Sequence, residues 1–443
     1  MEDSFAGVRT RRRLPHGPGH RTLQDKLVVG NDNDVPCMIF SQAGTGVALA
    51  TPAEAGAGPQ LQKEPGMLSE TAAGTRLRTY VMKGLCREKA LATYHLILAP
   101  TFECNLRCAH CYLPDHAPRG LSADRVLRLV DEWAEIVSAE RAPYGGIFHL
   151  KGGEPLILPY FRNVLDRLAE HRTLHFMTTT NGVTGDSGMV ARLDRLNAKL
   201  DGHVTVIVSI DGSREQINAL LRGPGIFEPA IAFVGRLAEA GINVLLNNVV
   251  HRGNIADIDA FVDLALELDV AQVNFLSFVP KGFGEKVAFG RPDPVEVFDR
   301  IHAIWGRGDR RVRDILAGSL SDILHAESCG TCTSRECVGG YRGLLYIVPD
   351  GTAYSCPNLS HRSLEAGNIL TSSLAGVHDE LRSRVYAKVQ TPEGAVQDRY
   401  LCKGERFVPL SSTFLKRDLA GLQRRFPVVQ RGSGISYCYS RNF

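Results

Sequence analysis

The chain has 443 residues, of which 44% are hydrophobic and 22% charged, which excludes a disordered polymer or a small disulfide-stapled fold and leaves room for two or three modules. Its 51 basic and 48 acidic residues give a formal charge of +3, too weak a field to imply a nucleic-acid partner. No run approaches the ~18 apolar residues of a membrane span, and the opening MEDSFAGVRTRRRLPHGPGH lacks the apolar core of a signal peptide, so a cytoplasmic protein with no membrane partner is expected.

Residues 1–72 are rich in Gly, Ala and Pro, as in QAGTGVALATPAEAGAGPQ, and carry no sustained apolar period; a flexible segment is expected there. The basic run Arg9 to Arg13 reads as a solvated tail, and Met67 offers an alternative start. Six strand candidates follow in order: YHLILAP, GIFHLK, LHFMTTT, VTVIVSI, NVLLNNVV and QVNFLSF. Amphipathic stretches separate them. Ser122 can cap a helix in which Val126, Val130, Trp133 and Val137 recur at helical spacing, and FEPAIAFVGRLAEAG closes at Gly241. Alternation of this kind predicts an α/β fold, a β/α barrel or wound sheet, and places functional residues on the loops after the carboxyl ends of the strands.

The eleven cysteines are clustered, and in a reducing cytosol clustered thiols bind metal or act in redox chemistry more often than they form disulfides. Cys104-Asn105-Leu106-Arg107-Cys108-Ala109-His110-Cys111 directly follows the first strand candidate. Three thiolates at this spacing can hold three irons of a cubane iron–sulfur cluster and leave the fourth open. A structural zinc is the alternative, but zinc is usually closed by a second pair of ligands, and none is adjacent.

This CxxxCxxC motif at the end of strand one resembles the signature of the radical S-adenosylmethionine (radical SAM) superfamily, over roughly residues 90–290. The resemblance implies a partial, six-stranded β/α barrel, a four-iron four-sulfur (4Fe-4S) cluster on Cys104, Cys108 and Cys111, and S-adenosyl-L-methionine on the open iron. The cofactors would supply the difficult step. Lys151-Gly152-Gly153-Glu154-Pro155 is similar to the family's GGEP motif, which implies that Gly152 and Gly153 let the backbone approach the ligand and that Glu154 helps hold the methionine ammonium. Asn181, in Thr180-Asn181-Gly182, is a further cofactor-binding candidate, although an Asn-Gly turn reads equally well. Ser209-Ile210-Asp211-Gly212, followed by Arg222-Gly223, resembles the family segment whose Ser and Arg grip the methionine carboxylate; arginine suits that task by its planar fork. The interval from Ser209 to Arg222 is one residue longer than the commonest family spacing, which weakens Arg222 relative to Ser209. Tyr112 and His110 are expected to pack against the cluster, and Asn247, Asn248, Pro280 and Gly282 receive no role.

A second group, Cys329, Cys332 and Cys337, is followed by GGYRGLLYIVPDGTAYS and Cys356. Asp350-Gly351 is a hairpin signal that would return Cys356 towards the earlier thiols. Cys337 to Cys356 resembles the opening element of the SPASM and twitch extensions, which carry auxiliary iron–sulfur clusters. The resemblance implies one auxiliary 4Fe-4S cluster on Cys329, Cys332, Cys337 and Cys356, with Cys402 as a replacement for one of them. Structural zinc is the alternative here too. Cys37 and Cys86 read as incidental, and Cys438 as inert rather than a third-site ligand or hydrogen-atom donor. The expected organisation is a flexible segment at 1–72, the barrel at 73–290, a helical linker at 291–325, the auxiliary region at 326–375 and a C-terminal extension at 376–443.

The resemblance implies an enzyme that cleaves S-adenosylmethionine reductively and abstracts a hydrogen atom from its substrate. Family members with such extensions modify peptides and proteins by oxidation, cross-linking or epimerisation, and others act on carbohydrates and aminocyclitols. The expected partners are therefore a peptide or small-molecule substrate and an external one-electron reductant such as flavodoxin or ferredoxin. A non-enzymatic iron–sulfur or zinc protein is the competing class; it needs no S-adenosylmethionine pocket and leaves the GGEP and SIDG segments unexplained.

Overall fold

The computed structural model describes residues 94–142, 145–278, 282–290, 292, 294–307, 311–312, 315–316, 343–357 and 364–385. The expectations for residues 1–72, Met67, Cys37, Cys86, Pro280, Cys329, Cys332, Cys337, Cys402 and Cys438 lie outside the described residues.

The six expected strands form and are all parallel: β1 (Tyr94–Leu98), β2 (Gly146–Leu150), β3 (Leu174–Thr180), β4 (Val204–Ser209), β5 (Asn243–Val250) and β6 (Gln272–Ser277). Helices return the chain between them: α1 (Ala123–Ala139), α2 (Phe161–Leu168), α3 (Ser187–Lys199), α4 (Glu215–Arg222), α5 (Phe227–Glu239) and α6 (Ile258–Glu267). Ser122 caps α1 by accepting the Arg125 N–H, and Val126, Leu129, Val130, Trp133 and Val137 supply its buried stripe. The strands bury both faces, which explains their continuous apolar runs. Leu96, Leu98, Phe148, Leu150, Phe176, Val206, Val208, Val244 and Leu246 pack in the main core with the helices. The alternate residues of the pleat, among them His149, Met177, Ile207 and Leu245, are buried on the opposite, concave face. The result is an open partial barrel. Among the described residues a further helix, α7 (Pro294–Arg307), follows β6.

The sheet extends beyond the six expected strands. Its order is β6-β5-β4-β3-β2-β1-β7-β8-β9, where β7 (Leu344–Ile347) lies parallel to β1, pairing His95 with Leu344 and Leu98 with Ile347. The Asp350-Gly351 turn then leads into β8 (Thr352–Tyr354), antiparallel to β7, with Gly351 at φ +84°. β9 (Glu365–Asn368) pairs with β8 and runs on to α8 (Leu374–Glu380). Arg125 of α1 ties this edge to the barrel: its Nε donates to Ile369 O at 3.1 Å, and its terminal nitrogens meet Glu132 at 2.8 and 3.2 Å. Among the described residues no helix is long and apolar enough to cross a membrane.

Candidate active site

At the carboxyl end of β1 the chain enters the loop that carries Cys104, Cys108 and Cys111. Its base is held by Leu121 N–H donating to Pro100 O at 2.8 Å and by the Glu103 N–H on Thr101 Oγ1 at 3.0 Å. The loop after β2 packs directly onto this segment: Gly153 N–H donates to Thr101 O and Glu154 N–H to Glu103 O, both at 3.0 Å. A Cβ on Gly153 would stand 1.9 Å from Glu103 O, and one on Gly152, at φ +129°, 2.4 Å from Thr101 O. The glycines therefore serve the approach of the β2 loop to the cysteine loop, a close backbone contact that a side chain would prevent.

Glu154 is completely buried at the centre of this junction. Its carboxylate accepts from Leu156 N–H at 3.0 Å, Thr180 Oγ1 at 2.6 Å and Asn181 N–H at 2.7 Å. Burial raises its pKa against the opposing effect of these bonds. Asn181 does more than turn the chain, since its Nδ2 donates to Asn105 Oδ1 at 2.8 Å and lies 4.0 Å from Cys104 Sγ. The loops after β1, β2 and β3 are thus bonded to one another around the first cysteine.

Burial pushes the Cys104 and Cys111 thiols up to about 11 and raises Cys108 as well, so a metal must displace their protons to bind them as thiolates. His116 reaches Cys111 Sγ at 3.3 Å and stacks on Phe283, with ring centroids 4.9 Å apart. Phe283 N–H in turn donates to Cys111 O at 2.9 Å, and Gly282, at φ +59°, sits where a Cβ would be 2.5 Å from Leu113 O. Gly282 thereby acquires a packing role over the cysteine loop, and His116 joins the site without any motif that announced it.

On the far wall Arg222, the last residue of α4, is 8% exposed. The extra residue after Ser209 has not displaced it outward. Its Nε lies 2.7 Å from Asp211 Oδ2. His110 approaches the same carboxylate at 3.4 Å, and burial pulls its pKa down to about 4. Lys151 is buried beside the Tyr112 ring, with Nζ 5.7 Å from the centroid. Burial lowers it to about 7, and the charge of nearby Cys356, itself buried, opposes that shift.

The site encloses one cavity of about 170 Å3. Cys104, Cys108, Cys111, Gly152, Gly153, Glu154, Asn181, Ser209 and Arg222 all contribute to its wall, together with Lys151, Asn247, Val249 and Leu276. The donor set fits an iron–sulfur cluster. Among the described residues no three His, Cys, Asp or Glu side chains converge as one metal ion requires, whereas three cubane thiolates each bind a separate iron.

Residues 98–265 match the family model described as Radical SAM superfamily. Over 278 residues the chain is 29% identical to the mycofactocin maturase MftC of Mycobacterium tuberculosis, covering 61% of this chain and 66% of that protein. It is also 29% identical over 268 residues to the PqqA peptide cyclase of Methylorubrum populi, covering 59% and 65%. The chain thus spans just under two thirds of the length of these curated relatives. Among solved structures, Streptococcus suis SuiB bound to precursor peptide SuiA has a TM-score of 0.51 at 15% identity, over 67% of this chain and 66% of that chain. The structure of anSMEcpe with bound AdoMet has a TM-score of 0.52 at 18% identity, over 71% and 84%; both are likenesses of fold. With the cysteine triplet at the end of β1, GGEP at the end of β2 and Ser209 of SIDG at the end of β4 lining one cavity, residues 98–265 carry the radical SAM domain that the family model matches.

Proposed function

We propose that this chain is an enzyme that modifies a peptide by radical chemistry. When bound, a 4Fe-4S cluster and S-adenosylmethionine would supply a 5′-deoxyadenosyl radical able to remove a substrate hydrogen atom. Cys104, Cys108 and Cys111 would hold the cluster. Glu154 has about four acceptor positions, three of them taken by Leu156, Thr180 and Asn181, which leaves one for the methionine ammonium. Ser209 and the guanidinium of Arg222 would receive the methionine carboxylate. Val249 and Leu276 give the cavity an apolar wall, which limits water where a radical would otherwise be quenched.

The observation that carries this reading is the convergence of three thiols, a buried carboxylate and a buried guanidinium on one cavity. Peptide as the substrate class is supported by relatives whose names specify it, the PqqA peptide cyclase and SuiB with its precursor peptide. An external one-electron reductant such as flavodoxin or ferredoxin would start the cycle. Cys356, buried at the end of β8, would hold an auxiliary 4Fe-4S cluster with Cys329, Cys332 and Cys337, a reading supported by the buried thiol beside the cavity-lining Lys151.

The test is anaerobic reaction of the reconstituted full chain with deuterated candidate peptides, sugars and aminocyclitols, followed by mass spectrometry of 5′-deoxyadenosine. Deuterium gained from a peptide is the expected result. Deuterium gained only from a sugar or aminocyclitol would overturn the peptide assignment, and no 5′-deoxyadenosine at all would overturn the enzyme.

A further inference from the structure

The Ser209–Gly212 segment contains a carboxylate with no task so far. Asp211 is completely buried. Its Oδ1 accepts the Val249 N–H of β5 at 2.7 Å, and its Oδ2 faces Arg222 Nε at 2.7 Å and His110 Nε2 at 3.4 Å. The backbone of Asp211 is pinned on both sides: its N–H donates to Asn218 Oδ1 of α4, and its carbonyl accepts from Asn254 Nδ2, each at 2.9 Å. The carboxylate therefore has one fixed position, set by β5, α4 and the loop after β5.

A guanidinium can grip a carboxylate along more than one edge of its fork. With Nε engaged by Asp211, the terminal edge of Arg222 is the one left for the cavity, which Arg222 lines. The same end of α4 is stitched to the cysteine loop by Ala109 N–H donating to Leu221 O at 2.7 Å, and His110 of that loop approaches Asp211. Arg222 and the cysteines, which one cofactor would have to bridge, are thus held in a common frame. Resting on the S-adenosylmethionine reading above, we propose that Asp211 is the positioning residue for carboxylate recognition. It fixes the Nε edge of Arg222 so that the terminal edge meets the methionine carboxylate in register with the cysteine loop.

The test compares equilibrium binding of S-adenosylmethionine with that of decarboxylated S-adenosylmethionine to the anaerobically reconstituted full chain. The wild type should prefer the carboxylate-bearing compound. Asp211→Asn keeps the size and the acceptor for Val249 but turns an N–H2 group towards Arg222. It should shrink the preference by about tenfold or more, the scale of a hydrogen bond to a charged group, mainly by weakening the carboxylate-bearing compound. Arg222→Gln should shrink it too, and Asp211→Asn added to Arg222→Gln should change it no further. A residue with only a structural task would weaken both compounds equally, so an unchanged ratio in Asp211→Asn overturns the proposal. If that variant does not fold, Asn218→Ala, which removes only the bond to the Asp211 N–H, should shift the ratio the same way by a smaller factor, and no shift overturns the proposal. A wild type that binds neither compound, or both alike, counts against the S-adenosylmethionine reading itself; a preference lost in Arg222→Gln but kept in Asp211→Asn counts against Asp211 alone.

Discussion

Gly153→Ala isolates the contact that holds the GGEP loop against the cysteine loop. The added Cβ would stand 1.9 Å from Glu103 O, 2.5 Å from Glu103 C and 2.6 Å from Phe102 O. All three are backbone atoms immediately before Cys104, so no side chain can rotate away. Relief needs a backbone shift of about 1 Å, and a displacement of that size costs on the order of a hundredfold in rate where geometry is critical. It also breaks the bonds of Gly153 N–H to Thr101 O and Glu154 N–H to Glu103 O. Overpacking of this kind destabilises by about 1–3 kcal/mol, a fall of several degrees in Tm for a domain of this size. The expected result is a folded protein with depleted iron at the triplet and about a hundredfold less 5′-deoxyadenosine, measured by iron analysis and chromatography. Gly235→Ala in α5 is the control, because its Cβ meets nothing within 4 Å and a helical Gly→Ala change gains about 0.5–1 kcal/mol. Wild-type iron content and turnover in Gly153→Ala would refute the steric reasoning.

Glu154→Gln should cost about 1–3 kcal/mol, because its N–H2 must face one of the donors that now meet the carboxylate, and it should weaken S-adenosylmethionine binding; chemical denaturation that matches the wild type would contradict this. Burial, with the charge of Lys151, pulls the pKa of His95 from 6.5 to about 3. The native state therefore binds fewer protons than the unfolded chain, and stability is complete above about pH 6.5 and lost as pH falls towards 3, by about 2 kcal/mol at pH 5 from this residue. His95→Phe should flatten the thermal-unfolding profile between about pH 7 and pH 5, and an unaltered slope would remove His95 as its source. Arg125→Ala leaves Glu132 and Ile369 O without their shared donor, at a cost of about 1.5–3 kcal/mol; limited proteolysis should then cut the segment around β9 and α8 faster than in the wild type, and equal cutting rates would show that this tie is dispensable.

Much of the barrel was legible in the sequence because its signals are local. Ser122 ahead of a helical stripe gives α1, and six apolar runs separated by amphipathic stretches give six parallel strands. The cysteine triplet, GGEP and SIDG could be placed because each follows a strand. Pairing across distance was not legible: nothing in LLYI announces that β7 will lie parallel to β1, since period and propensity say that a strand forms but not which neighbour it takes. Roles were hidden where motif letters serve the protein rather than the ligand. Gly153 accommodates the Glu103 carbonyl, Asp211 serves Arg222, and His116 reaches Cys111 only after the loop has folded under Phe283. The pair His95 and His149, in contact at 3.2 Å inside the barrel, with Thr179 bonded to His149 at 2.9 Å, likewise emerges only when β1, β2 and β3 are in register.

The central claim is that Cys104, Cys108 and Cys111 hold a cluster that cleaves S-adenosylmethionine, and the direct measurement is 5′-deoxyadenosine formation by the anaerobically reconstituted, chemically reduced chain. Wild-type protein should form it. The variant with all three cysteines changed to Ala should form none while retaining any iron bound elsewhere. Cleavage that survives in the triple variant, or a reduced wild type that carries a cluster yet leaves S-adenosylmethionine intact, would contradict the account.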